Sequence, residues 1–193
     1  MSVNLEKGTK VSLEKIAKEA GIDKLEVVRA ALGWDPQRYD GCADFDLDVT
    51  VFMCGASGKV EKEQNMIFYN RLEGNGIKHF GDERTGSTEG DDETILIELD
   101  KLDADIQKLV FAVTIYKAEE REQNFSMVEN SYIRIIEENT EKELVKFELG
   151  EDFSSETAVV VAELYKYNGE WKFNTVGRGF NGGLKALCDS FGL

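Results

Sequence analysis

Apolar residues recur in this chain mainly at every second position, and that period commits most of it to strands rather than helices. Residues 48–53 and 93–99 alternate in this way. Residues 108–116 form a longer apolar run rich in β-branched side chains, which reads as a central strand. Segments 131–137 and 143–149 flank a polar turn at 138–142 and read as a hairpin. Segments 157–167 and 171–176 flank Asn168-Gly169, a strong signal for a tight turn. Helical spacing is scarcer. Leu13, Ile16, Ala17 and Ala20 share one helical face, with Gly21 placed to end the helix and a strand resuming over residues 24–31. Residues 183–191 predict a closing helix that turns Leu184, Leu187 and Phe191 inward. Many short strands with closely spaced turns predict a mainly β fold, a β-sandwich with a few short helices, one of them near the C-terminus.

The 193 residues suit one domain over 1–193 with a sizeable core, and no repeat or low-complexity segment divides them. An apolar content of 41% excludes a disordered chain despite the charge. No apolar run approaches the length of a transmembrane segment, and the N-terminal stretch lacks the apolar core of a secretory signal. The expectation is a soluble, cytoplasmic protein. Cys42, Cys54 and Cys188 are odd in number, widely spaced and free of any C-x-x-C pair, so they read as buried structural thiols rather than zinc or redox groups.

Charge narrows the function. A net charge of −15 repels nucleic acid and bare anionic membrane and attracts cations. Nine carboxylates fall in two stretches, Asp44-Phe45-Asp46-Leu47-Asp48 and the loop from Gly81 to Glu93, against the single Arg84. On a strand, Asp44, Asp46 and Asp48 share one face at spacings of about 6.6 Å, with Phe45 and Leu47 pointing to the core. Each neighbouring pair then repels by about 2.5 kcal/mol at an effective dielectric near 20. A divalent cation turns that repulsion into ligation. The loop mixes Asp82, Glu83, Glu89, Asp91, Asp92 and Glu93 with Gly81, Gly86 and Gly90, so its backbone can bend and its carbonyls can turn inward. Thr85 offers a hydroxyl or a carbonyl. Clustered hard oxygens on such a loop suit calcium better than magnesium. The spacing is not that of an EF-hand, since the third and fifth positions from Asp82 are Arg84 and Gly86. The bland alternatives are an acidic edge strand in solvent and a solvated surface loop.

Other constellations carry less. His79, the single histidine, has no activated Ser or Cys elbow with it, and reads as a structural residue or a neighbour of the ligands. The acids are too many and too close for a glycosidase pair. The spacing Gly81 to Gly86 lacks the Lys-Ser/Thr of a phosphate loop. Trp34 and Trp171 read as core, and residues 119–124 as a polar connection, with a partner surface as the sharper alternative.

Taken together, several short pieces resemble the TerD family of bacterial tellurium-resistance and stress-response proteins. They are Leu32-Gly33-Trp34-Asp35, Asp44-Phe45-Asp46-Leu47-Asp48, Phe68-Tyr69-Asn70, the loop from Gly81 to Glu93, Gln123-Asn124-Phe125, Asn130-Ser131-Tyr132-Ile133-Arg134, Gly169-Glu170-Trp171, and Gly182-Gly183-Leu184 with Cys188. The resemblance covers nearly the whole chain. It implies a two-sheet β-sandwich without catalytic residues that binds calcium, commonly two ions. It places the family's acid triplet on Asp44, Asp46 and Asp48, and its loop ligands on Asp82, Thr85, Gly86, Asp91, Asp92 and Glu93, with Asn70 as a neighbouring ligand. The chain departs from the family pattern at Glu83-Arg84, where relatives carry Asn-Leu, and at Ser87-Thr88-Glu89, where they carry a more glycine-rich triplet. The function expected is a calcium-binding, non-catalytic stress-response module acting through calcium-ordered binding of protein partners. A calcium-dependent membrane-associating module and a metal-dependent hydrolase are the alternatives. Two calcium ions would leave a charge of −15 + 4 = −11.

Overall fold

The computed structural model describes residues 2–35, 44–81, 90–150 and 153–193. In chain order the strands are β1 (Val3–Leu5), β2 (Lys10–Ser12), β3 (Val27–Gly33), β4 (Leu47–Cys54), β5 (Met66–Ile67), β6 (Glu73–Gly74), β7 (Ile77–His79), β8 (Glu93–Glu98), β9 (Lys108–Ile115), β10 (Tyr132–Glu137), β11 (Lys142–Glu148), β12 (Ala158–Tyr167) and β13 (Glu170–Phe180). Helix α1 spans Leu13–Glu19 and α2 spans Gly183–Phe191. The strands form two sheets, ordered β1-β11-β10-β3-β8-β7-β6 and β2-β13-β12-β9-β4-β5. This is the expected two-sheet sandwich with a C-terminal helix.

Packing explains why the central strands read as unbroken apolar runs. The inward side chains of β4, Val49, Val51 and Met53, join Phe111 and Val113 of β9 in the core between the sheets. Their outward neighbours Phe52, Cys54, Val110 and Ala112 join Leu187 and Phe191 of α2 in a second cluster. Helix α2 thus covers the outer face of one sheet, so these strands are buried on both sides and need no polar alternation. Phe52 and Phe191 stack with ring centres 4.7 Å apart. Helix α1 begins where the Ser12 hydroxyl accepts the Lys15 amide, and Gly21 follows it with φ +79°, a left-handed conformation that glycine adopts without strain.

Several boundaries move from the sequence reading. The strand expected over 24–31 is Val27–Gly33, and the one expected over 171–176 extends to Phe180. Asp44 and Asp46 precede β4, which begins at Leu47, so only Asp48 of the triplet is a strand residue. The inward alternation nonetheless starts at Phe45, which joins the core with Leu47. Trp34 and Trp171 are core residues, as expected. Cys54 is buried and Cys188 half-buried, while Cys42 lies outside the described residues. Burial pushes the Cys54 thiol up to about 11 and raises Cys188 as well, which leaves both protonated and unreactive at neutral pH. Among the described residues no helix is long and apolar enough to cross a membrane.

Candidate cation site

The strand order brings Asp48 of the first acidic stretch and Glu93 of the second to one end of the sandwich. Asp48, second residue of β4, pairs with Thr114 near the end of β9. In the other sheet Glu93, the first residue of β8, pairs with Leu32 near the end of β3. Glu93 then reaches across, and its Oε2 accepts the Val49 amide at 2.7 Å. The same oxygen lies 3.6 Å from His79 Nε2, with both side chains only 1% exposed. His79 Nδ1 accepts the Gly81 amide at 3.1 Å, which places the ring proton on Nε2, facing Glu93. His79 is thus a buried neighbour of Glu93, one of the expected ligands.

The expected ligands divide by what they already hold. Asp91 is clamped by Arg134, whose Nε and Nη2 donate to its two oxygens at 2.8 and 2.7 Å. The Tyr132 hydroxyl donates to Asp91 Oδ1 at 3.0 Å. Burial, then the Asp91 charge, raise the Tyr132 hydroxyl above its ordinary value, and the Asp91 bond raises Arg134. Asp92 Oδ2 accepts the Trp34 amide at 2.9 Å. Asp91 thus carries protein donors on both carboxylate oxygens, whereas the Trp34 and Val49 amides each engage one oxygen of Asp92 and of Glu93.

The triplet is different. Asp46 and Asp48 are 8% and 6% exposed, while Asp44 is exposed. The Asp46 carbonyl accepts the Tyr116 amide at 2.8 Å, which fixes the segment ahead of β4. A cation is already drawn here: Arg121 Nη2 stands 3.6 Å from Asp46 Oδ2, and Nη1 donates to the Asp44 carbonyl at 3.4 Å. Gln123 Nε2 donates to the same carbonyl at 3.4 Å. Buried carboxylates beside a carbonyl, with a guanidinium as stand-in, are a donor set that fits a hard cation. Asp48 also lines a cleft of about 490 Å³ with Tyr69, Thr114, Tyr116 and Leu184. Burial, then the Asp48 charge, raise the Tyr69 hydroxyl above its ordinary value. Asn70 is exposed beside Tyr69 at the tip of a tight turn closed by paired Phe68–Arg71 backbone bonds of 3.0 and 2.8 Å.

Asp82, Thr85 and Gly86 lie outside the described residues. Among the described residues, no group of three or more Asp, Glu, His or Cys side chains converges to hold a metal ion. Sequence reasoning read Arg121 as part of a polar connection and Tyr132 and Arg134 as part of a family motif, and gave none of the three a place beside the acidic residues. The first is 77 residues from Asp44 and the last 43 from Asp91, separations that no local motif encodes.

A family model described as the TerD domain matches residues 1–191. This chain belongs to the TerD family. It is 47% identical over 195 residues to general stress protein 16U of Bacillus subtilis, covering 100% of this chain and 98% of that one. It is 42% identical over 195 residues to tellurium resistance protein TerD of Serratia marcescens, with the same coverage of each. Among solved structures, a homologue of the telluride resistance protein TerD from Streptomyces coelicolor superposes with a TM-score of 0.70 at 24% identity, over 86% of this chain and 96% of that one. That likeness establishes the shared TerD fold.

Proposed function

We infer that this TerD-family chain is a calcium-binding, non-catalytic stress-response module of the cytoplasm. It contributes to resistance to tellurite or other toxic agents through cation-dependent binding of protein partners. The resistance role follows from the relatives, one a general stress protein and another a tellurium resistance protein, each matched over essentially full length. The cation reading is carried by one observation, the buried Asp46 carboxylate with a guanidinium standing beside it. Asp44, Asp46 and Asp48 would hold the ion, joined by Asp82, Thr85 and Gly86, with Asn70 and the Asp91–Glu93 run at the periphery. A bound calcium ion would supply two positive charges where the chain has gathered negative ones. The protein's own part is to hold these oxygens on rigid backbone: Tyr116 fixes Asp46, and strand pairing fixes Asp48.

Calorimetric titration with calcium chloride tests this reading, with heat expected that Asp46→Asn abolishes. Absence of binding at millimolar calcium overturns it.

One feature favours membrane association as a second reading. Phe80, next to the acidic loop, is 55% exposed. Sedimentation with anionic liposomes in calcium and in chelator decides it, because equal binding in both rejects a calcium-dependent membrane role.

A further inference from the structure

Arg134 and Arg121 are each held against one of the expected ligands, and they are held differently. Arg134 grips Asp91 through two bonds of 2.7–2.8 Å, as a saturated bidentate pair does. Arg121 is loose, at 3.4 Å from the Asp44 carbonyl and 3.6 Å from the Asp46 carboxylate. It lies on the connection from β9 to β10, in a turn where its amide donates to the Lys117 carbonyl at 3.0 Å. Its side chain is 27% exposed, against 12% for Asp46, so it can leave without disturbing the core. It touches one carbonyl and one carboxylate, the two kinds of hard oxygen that a calcium shell uses. The guanidinium also lies over the Tyr116 ring, 5.4 Å from its centre, a contact that does not depend on Asp46.

We propose that Arg121 is a specificity-determining residue of the cation site, a built-in monovalent occupant of the Asp44–Asp46 position that only an ion of higher charge displaces. The proposal rests on the cation reading above. Exchanging the guanidinium for sodium or potassium returns the same single charge to Asp46 and adds the cost of stripping water from the ion, so nothing drives it. A divalent ion adds a charge where Asp48 stands close along the same segment. Arg121 therefore weakens divalent binding somewhat and suppresses monovalent binding strongly, which a site in a potassium-rich solution requires.

The test is calorimetry with calcium chloride on the full chain, for the wild type, Arg121→Gln and Arg121→Lys. Each is measured in potassium chloride and in tetramethylammonium chloride at about 0.15 M, where screening is equal and only the small cation can enter the site. In the tetramethylammonium salt Arg121→Gln should bind calcium roughly tenfold more tightly than the wild type, because a positive charge has left the ion's neighbourhood. In potassium chloride that gain should shrink at least about threefold as potassium competes, while the wild type responds equally to both salts. Arg121→Lys, which keeps the charge, should follow the wild type. An arginine that merely propped up the ligands would give the reverse, weaker binding in Arg121→Gln and no difference between the salts. Either that result or equal binding by wild type and Arg121→Gln overturns the proposal and leaves the cation site standing. No calcium heat from any of the three proteins overturns both.

Discussion

Glu93 Oε2 and the Val49 amide, 2.7 Å apart, join the two sheets inside the sandwich at its acidic end. The bond forms where β5 stops, since that strand pairs with Val51 and Phe52 and, among the described residues, no strand continues it beside Val49. The carboxylate takes over what a ladder bond would do, and His79 lies against it at 3.6 Å. Glu93→Ala should therefore destabilise the protein even without any cation, by about 1–3 kcal/mol, because a buried amide loses its acceptor and the buried imidazole loses the carboxylate beside it. Urea unfolding in chelator measures this, and a loss below about 0.5 kcal/mol would show that water replaces the carboxylate.

Gly33 is required by a ring rather than by a turn. A Cβ there would stand 2.5 Å from the Tyr132 hydroxyl oxygen and 2.6 Å from the ring. The ring cannot swing away freely, because its hydroxyl is tied to the Gly90 carbonyl and to Asp91, each at 3.0 Å. Gly33→Ala should cost about 1–3 kcal/mol through overpacking. In a double-mutant cycle with Tyr132→Ala most of that cost should vanish, and simple additivity of the two losses would refute the contact.

Glu137 predicts an acid limb in the stability curve. Its buried carboxylate accepts the Thr140 hydroxyl and amide at 2.5 and 2.9 Å, and the Asn139 side-chain and main-chain N–H at 3.0 and 3.2 Å. Burial pushes this carboxyl up, and the four bonds together outweigh it, so it titrates below the ordinary 4.5. A depressed folded value means that the stabilisation is complete above about pH 4.5 and is lost as pH falls through the folded value. Glu137→Gln should cost about 1–3 kcal/mol at pH 7 and should lose less stability than wild type between about pH 5 and pH 3. Guanidinium unfolding across that range checks both, and parallel acid limbs would reject the assignment.

Helix α2 is a second layer rather than a tail. Phe191 is 7% exposed and stacked on Phe52, and its carbonyl accepts the Val60 amide at 2.9 Å. Phe191→Ala should cost about 3–5 kcal/mol. Near-ultraviolet circular dichroism with urea titration would show it, and a cost under about 1 kcal/mol would mean that the helix contributes little to the core.

Much of the architecture was legible from periodicity. The run over 108–116 is β9 at Lys108–Ile115, and the helix read over 183–191 is α2. The misses have local causes. Strands β1, β2, β5, β6 and β7 are two or three residues long, too short to display a period. Strand β13 runs on through Gly177 and Gly179, past the bound of 171–176 read from the sequence. At Gly179 the space is needed by Glu156, whose Cγ would lie 2.4 Å from an added Cβ. The acid triplet was read as three strand residues because alternation begins at Phe45, two residues before the ladder does.

The candidate site was legible as chemistry and illegible as geometry. Composition and spacing alone show that carboxylates are concentrated in two stretches and that residues 48–53 and 93–99, which follow on from them, alternate as strands do. These are properties of neighbours along the chain, and local sterics and charge act on neighbours directly. Which carboxylates are already bonded was decided only when the sheets closed. Closure set Glu93 on the Val49 amide, Arg134 on Asp91 and Arg121 beside Asp46, across separations of 44, 43 and 75 residues. Such contacts follow from strand order and register, which depend on packing the whole core at once.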